Sequence, residues 1–170
     1  MKGYIQIYTG NGKGKTTAAL GLSLRAVCAG KKVFFGQFVK GMEYSELKAT
    51  QFIENFEIKQ YGRNCFIMKE PEEEDIRLAQ EGLKDLEAKS TSGDYDVVVM
   101  DELNIALFYK LFDVQVVLNI LRKKHEKTEI IITGRYAPDE LIKAADLVTE
   151  MKEIKHYYQK GVQAREGIEK

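Results

Sequence analysis

Apolar positions along this chain switch repeatedly between the two-residue period of a strand and the 3.6-residue period of a helix. Tyr4-Ile5-Gln6-Ile7-Tyr8 is β-rich and runs into the glycine-dense segment from Thr9 to Gly14. Lys15 to about Ala29 carries Ala19, Leu22 and Ala26 at helical spacing and is closed by Gly30, a helix-terminating residue. Lys32 to Val39 is the next strand, Ser45 to Ile53 a short helix, and Phe56 to Tyr61 a weaker strand. From Pro71 a longer helix reaches about Lys89, with acids in its first turn and Ile76, Ala79, Leu83 and Leu86 on one stripe. Val97-Val98-Val99-Met100 is an unbroken apolar run, as expected of a strand buried on both faces. A helix over Asp113–Lys124, a strand over Glu129–Thr133, a helix over Pro138–Ala145 and a strand over Leu147–Met151 complete the series, leaving a polar tail from Lys152. Strands separated by helices predict an α/β fold: a mostly parallel sheet with helices on both faces, in one domain spanning 1–170.

Composition changes this picture little. Lys and Arg total 26, as do Asp and Glu, so net charge gives no reason to expect nucleic acid or an anionic membrane as partner. Hydrophobic residues make up 44% and charged residues 31%, an ordinary globular balance. No apolar run is long enough to span a bilayer, and no signal-peptide pattern precedes the first strand, so a cytoplasmic location is expected. Cys28 and Cys65 form no metal-binding pattern, and Cys28 reads as core filler.

Chemistry enters at the first strand-to-helix junction. Gly10-Asn11-Gly12-Lys13-Gly14-Lys15-Thr16-Thr17 is a phosphate-binding loop in the context such a loop requires. Its glycines let backbone N–H groups turn toward phosphate oxygens, and the helix N-terminus adds partial positive charge. Lys15 supplies a full charge, and the Thr16 hydroxyl is placed for Mg²⁺. The position normally held by the first glycine is Thr9, with the glycine one residue later at Gly10. Lys13 either touches phosphate or is solvated. The apolar Val97–Met100 run ends in Asp101-Glu102, carboxylates presented beside the phosphates for the metal. Together these motifs specify a Mg-nucleotide site and leave the reaction open.

Further segments narrow it. Gln37-Phe38-Val39-Lys40-Gly41, Val99-Met100-Asp101-Glu102-Leu103, Ile132-Thr133-Gly134-Arg135 and the closing Lys155–Glu169 follow the phosphate loop in order. With Tyr8–Thr17 they make the chain resemble the P-loop family of ATP:corrinoid adenosyltransferases over Tyr4–Glu169, and the displaced glycine is normal for that family. The resemblance implies a P-loop NTPase-like (RecA-like) three-layer α/β/α fold and transfer of the 5'-deoxyadenosyl group of ATP to the Co(I) centre of a reduced corrinoid. Its co-substrates and cofactor would be ATP, the corrinoid and Mg²⁺. It further implies a homodimer, supplied by a reducing flavoprotein or another electron donor. By residue match, Thr9, Gly10, Asn11, Gly12, Lys13, Gly14, Lys15, Thr16 and Thr17 would cradle the triphosphate, with Lys15, Thr16 and Glu102 central to catalysis. Thr16, Asp101 and Glu102 would serve the metal, Asp101 in support. Arg25 and Arg135 are candidate anion contacts, Lys40 and Gly41 would line the edge of the site, and His156 belongs to a tail that holds nucleotide or folds over it. His125 is expected to be solvated.

Two departures stand out. The family's Phe-x-Trp, which presses on the lower face of the cobalt, has no match in a chain without tryptophan; Phe66 in Gly62-Arg63-Asn64-Cys65-Phe66 is the nearby aromatic. Relatives often carry an N-terminal extension that covers the site, whereas here the first strand is expected to begin at Tyr4, so another segment provides the cover or the site is more open. The competing readings are another P-loop small-molecule kinase or ATPase, and a non-catalytic nucleotide or corrinoid carrier.

Overall fold

Period-two alternation in the strands assigns each residue to one of two helical layers. The computed structural model describes the chain from Met1 to Lys170 apart from residues 65, 66, 68 and 69. Strands β1 (Ile5–Thr9), β2 (Val33–Phe38), β3 (Phe56–Tyr61), β4 (Val97–Asp101), β5 (Glu129–Thr133) and β6 (Leu147–Glu150) form one sheet in the order β3-β2-β4-β5-β1-β6. Every neighbouring pair is parallel, so the mostly parallel expectation is met throughout the described residues.

Helix α1 (Lys15–Cys28) covers one face, where Phe35, Val97, Val99 and Ile131 meet Ala19 and Ala26. On the other face Phe34, Val98, Met100 and Ile132 pack with Leu83 and Leu86 of α2 (Glu73–Ser92) and with Val117 and Ile120 of α4 (Val114–Lys123). Each fully buried aliphatic contributes about 1.5–3 kcal/mol, and β2, β4 and β5 are buried almost end to end, which makes the central strands the anchor of the domain. Two short helices, α3 (Leu103–Phe108) and α5 (Asp139–Ala144), complete the second layer, and 3₁₀ turns occupy Ser45–Gln51 and Tyr157–Lys160.

Helix α2 begins at Glu73, with Pro71 outside it, because Glu72 and Asp75 form a reciprocal capping box; Gly93 at φ 81° ends it. Helix α3 has no signature in the sequence pattern: it is under two turns long and starts from Glu102, whose φ of 57° turns the chain sharply after β4. The expectation that Cys28 fills the core is wrong. The buried stripe of α1 runs through Ala19, Ser23 and Ala26, and Cys28 lies roughly 200° around the helix from Ala26, where it is exposed. His125 is half-buried against Gly93 rather than solvated.

All-parallel strands deliver their carboxyl ends to one edge. The register sets Gln37 beside Asp101, Met100 beside Ile132 and Tyr8 beside Thr133. The segments that follow β1, β2, β4 and β5 are therefore neighbours, although Thr9 and Arg135 are far apart along the chain.

Candidate active site

Between β1 and α1 the chain is bent by Gly10 at φ 94° and Gly14 at φ 118°. A Cβ on Gly10 would come within 2.4 Å of the Met151 carbonyl oxygen, which explains why the glycine belongs at position 10 and Thr9 is tolerated before it. The residue that follows β6 braces it: Met151 N donates to Thr9 O at 2.8 Å, and Gly12 N donates to Met151 O at 2.7 Å. Gly12 therefore has a structural part, with its amide already engaged. The N–H groups of Lys13, Gly14, Lys15, Thr16 and Thr17 have no hydrogen-bond partner among the described residues, and these form the cradle open to a ligand.

Lys15 is nearly buried, with Nζ donating to the Gly10 and Gly12 carbonyls at 2.8 and 2.7 Å. Burial lowers its pKa; nearby Glu102 and Asp101 oppose that shift, and Arg135 adds to it. Its ammonium is held by neutral acceptors at the loop, available to a stronger anionic partner.

Asp101 is completely buried and accepts from Thr16 Oγ1 at 2.8 Å and Thr133 Oγ1 at 2.6 Å on one oxygen. Its other oxygen accepts from Lys40 Nζ at 2.8 Å and Gln37 Nε2 at 3.2 Å. Gln60 in turn donates to Gln37 at 3.1 Å, and the Thr133 hydroxyl accepts from Glu102 N at 2.9 Å. This polar ladder crosses β3, β2, β4 and β5 and fixes Thr16 at the start of α1. Burial would lower the Lys40 pKa, but Asp101, followed by Glu102 and Glu46, outweighs it, so Lys40 holds its proton above the usual lysine range. Glu102, at the N-terminus of α3, is pushed the other way from an ordinary carboxylate: burial first and the Asp101 charge second raise its pKa. An acid held this way binds a cation or a proton readily, because either relieves the same unfavourable charge.

The resulting pocket has a volume of about 480 Å³ and is lined by Lys15, Thr16, Lys40, Glu102 and Arg135, together with His156 and the last residues of the chain. Gly12, Lys13, Gly14 and Thr17 also border it; Asn11 lies in an adjoining hollow that shares Arg135. Thr9 stands behind the loop, its Oγ1 accepting from Ala137 N at 3.4 Å. Arg25 is not brought in: it sits in the last turn of α1, about 15 Å along the axis from Lys15. Gly41 is pressed onto the Gly62–Arg63 backbone, where a Cβ would come within 2.3 Å of the Gly62 oxygen, so the loops after β2 and β3 are packed directly together. Phe66 and Cys65 lie outside the described residues.

The donor set suits a hard divalent cation. Oxygen atoms of Thr16 and Glu102 border the cradle, with Asp101 buried behind Thr16 as its hydrogen-bond acceptor, while among the described residues no group of three His, Cys, Asp or Glu is able to enclose an ion by itself. Mg²⁺ is held in this way, by one or two carboxylates completed by phosphate oxygens and water.

Sequence reasoning found the loop and the carboxylates but gave no part to Gln37, Gln60, Thr133 or Met151. A polar residue inside an apolar strand, as in Val33–Phe38, is the signal that marks Gln37. Met151 carries none, because it acts through its backbone.

Among known proteins, the family model "ATP:corrinoid adenosyltransferase BtuR/CobO/CobP" matches residues 1–169. A corrinoid adenosyltransferase of a Sinorhizobium species is 34% identical over 99% of this chain and 80% of its own length. Those of Pseudomonas aeruginosa and Escherichia coli K12 are 33% and 32% identical, each over 99% of this chain and over 84% and 86% of their own. A crystal structure of the RadB recombinase superposes with a TM-score of 0.50 at 17% identity, over 91% of this chain and 77% of that one, a likeness of fold alone.

Proposed function

Since the chain belongs to the ATP:corrinoid adenosyltransferase family, we propose that its pocket holds ATP and performs that family's reaction, adenosylation of a reduced corrinoid with release of triphosphate. One observation carries the reading: an open row of amides from Lys13 to Thr17, a buried Lys15 and Glu102 converge on a single pocket, with Asp101 buried behind it holding Thr16 and Lys40. The reaction is a displacement in which the Co(I) electron pair forms the Co–C5' bond as the C5'–O bond breaks, and the triphosphate leaves with that bonding pair. No proton is lost by the nucleophile, so no general base is required. The need is alignment and neutralisation of the leaving group.

Lys15 exchanges the Gly10 and Gly12 carbonyls for phosphate oxygens, the loop amides take further oxygens, and Arg135 adds positive charge from the β5 end. Bound Mg²⁺ would neutralise part of the triphosphate charge, held by Thr16 and Glu102. Asp101 positions Thr16 and anchors Lys40 at the pocket edge. Phe66 is proposed as the aromatic group on the lower face of the corrinoid. The homodimer, the electron donor and the cytoplasmic setting are proposals of the same kind; among the described residues no helix is long and apolar enough to cross a membrane.

A kinase or ATPase is not favoured, because the family model spans residues 1–169 and the corrinoid adenosyltransferases match along 99% of the chain. Anaerobic incubation with ATP, Mg²⁺ and chemically reduced cobalamin tests the proposal. The spectrum of an alkyl–cobalt bond is expected in the presence of the protein, and its absence overturns the reading.

A further inference from the structure

The end of the chain lies against the phosphate loop through one charged cluster. Lys13 Nζ donates to Tyr157 Oη at 3.1 Å, Ile168 O at 3.2 Å and Glu169 Oε1 at 2.8 Å. Glu169 also accepts from the Arg165 amide at 2.9 Å, from the Arg165 guanidinium at 3.1 and 3.2 Å, and from the Tyr157 hydroxyl. On the opposite wall Ser45 Oγ donates to Lys170 O at 3.0 Å. Residues Gly167 to Lys170 thereby border the same pocket as Lys15, Thr16 and Glu102, and the tail is fastened on both sides of it. An anion of the chain itself thus stands beside a cradle of unpartnered amides and occupies a cation of the phosphate loop.

We propose that Glu169 is a built-in anionic competitor: in the nucleotide-free protein it holds Lys13 and straps the tail across the pocket, and an incoming polyphosphate takes Lys13 from it. Lys13 is then a second phosphate-binding cation beside Lys15, reached only after this exchange. The Lys13 side chain is 39% exposed and that of Glu169 15%, so the pair sits at the rim, where such contacts are weak and exchange is inexpensive. A single carboxylate yields to a ligand of several charges and resists one of a single charge, which gives the pocket a preference for triphosphates over small anions. The inference rests on reading this pocket as the triphosphate site.

Calorimetric titration with inorganic tripolyphosphate, which needs no corrinoid, tests it on the wild type, Glu169→Gln, Lys13→Ala and the double variant. Glu169→Gln is expected to bind roughly two- to fivefold tighter than wild type, the range of an exposed ion pair. The double variant is expected to show no such gain over Lys13→Ala. Unchanged or weaker binding in Glu169→Gln, or an equal gain without Lys13, overturns the inference while leaving the site reading intact. Absence of tripolyphosphate and ATP binding in the wild type overturns both. A second readout is tryptic cleavage within Tyr157–Lys170, which tripolyphosphate should accelerate as the strap lifts; protection there contradicts it.

Discussion

Replacing Asp101 by Asn keeps the shape of the side chain and removes its charge. One oxygen remains to accept from Thr16 and Thr133, now held at 2.8 and 2.6 Å. The other becomes an amide that faces two donors, Lys40 Nζ at 2.8 Å and Gln37 Nε2 at 3.2 Å. Lys40 is then a cation with 14% of its side chain exposed and no compensating carboxylate at contact. Breaking a buried pair from one side costs about 3–5 kcal/mol, and the partial exposure of Lys40 favours the lower end, about 3 kcal/mol. For a chain of this length each kcal/mol moves the melting temperature by about 2–4 °C, so Asp101→Asn should melt roughly 6–12 °C lower in calorimetry. Adding Lys40→Met removes the stranded cation and should restore much of the loss, a coupling that a double-mutant cycle reads directly. A drop below about 2 °C, or additive losses in the cycle, would refute the assignment of Asp101 as the charge that organises this edge of the sheet.

Lys15→Ala should lower the rate of corrinoid adenosylation by about 10²-fold or more, as when a major electrostatic stabiliser is lost, and steady-state rates check it. Gly12→Ala places a Cβ 2.8 Å from the Met151 oxygen and 2.9 Å from the Lys152 carbonyl carbon, both backbone atoms with little room to yield. An overpacking cost of about 1–3 kcal/mol is expected, seen as a lower melting temperature together with weaker ATP binding. Glu102 has its pKa raised above the usual 4.5, so it keeps its proton to higher pH than an ordinary carboxylate. Because the protonated acid does not bind Mg²⁺, kcat/KM for Mg·ATP should fall on the acid side starting above pH 4.5, and Glu102→Gln should remove that limb from the pH profile. The same shift means that ionising Glu102 costs folded-state stability as pH rises from the unfolded value toward the folded one, so Glu102→Gln should gain stability relative to wild type at neutral pH in the absence of ligand.

What could be read in the sequence was what is local. The phosphate loop is continuous from Gly10 to Thr17, and the Val97–Met100 run is adjacent to its carboxylates, so strand, loop and chemistry could be read together. The six strands are legible because each is a short apolar or β-rich segment bounded by polar or turn residues. What joins them was out of reach: Gln60, Gln37, Asp101 and Thr133 lie on four different strands, and only the sheet order β3-β2-β4-β5 makes them a ladder. Lys13 and Glu169 sit near opposite ends of the chain, so an ion pair between them carries no periodic signal. Helix α3 leaves no trace in the pattern because six residues launched from a left-handed Glu102 are too few for a 3.6-residue repeat to register. Cys28 misled for the converse reason. An apolar residue inside an amphipathic helix is buried only on the packed stripe, and the α1 stripe is narrow, built from Ala19, Ser23 and Ala26.

The central claim is that this pocket holds the triphosphate of ATP as a leaving group. Phosphorus NMR of the anaerobic reaction with Co(I) corrinoid and Mg·ATP tests it most directly. The account predicts intact inorganic triphosphate in equal amount to the alkyl–cobalt product, whereas ADP and orthophosphate accumulating without that product would contradict it.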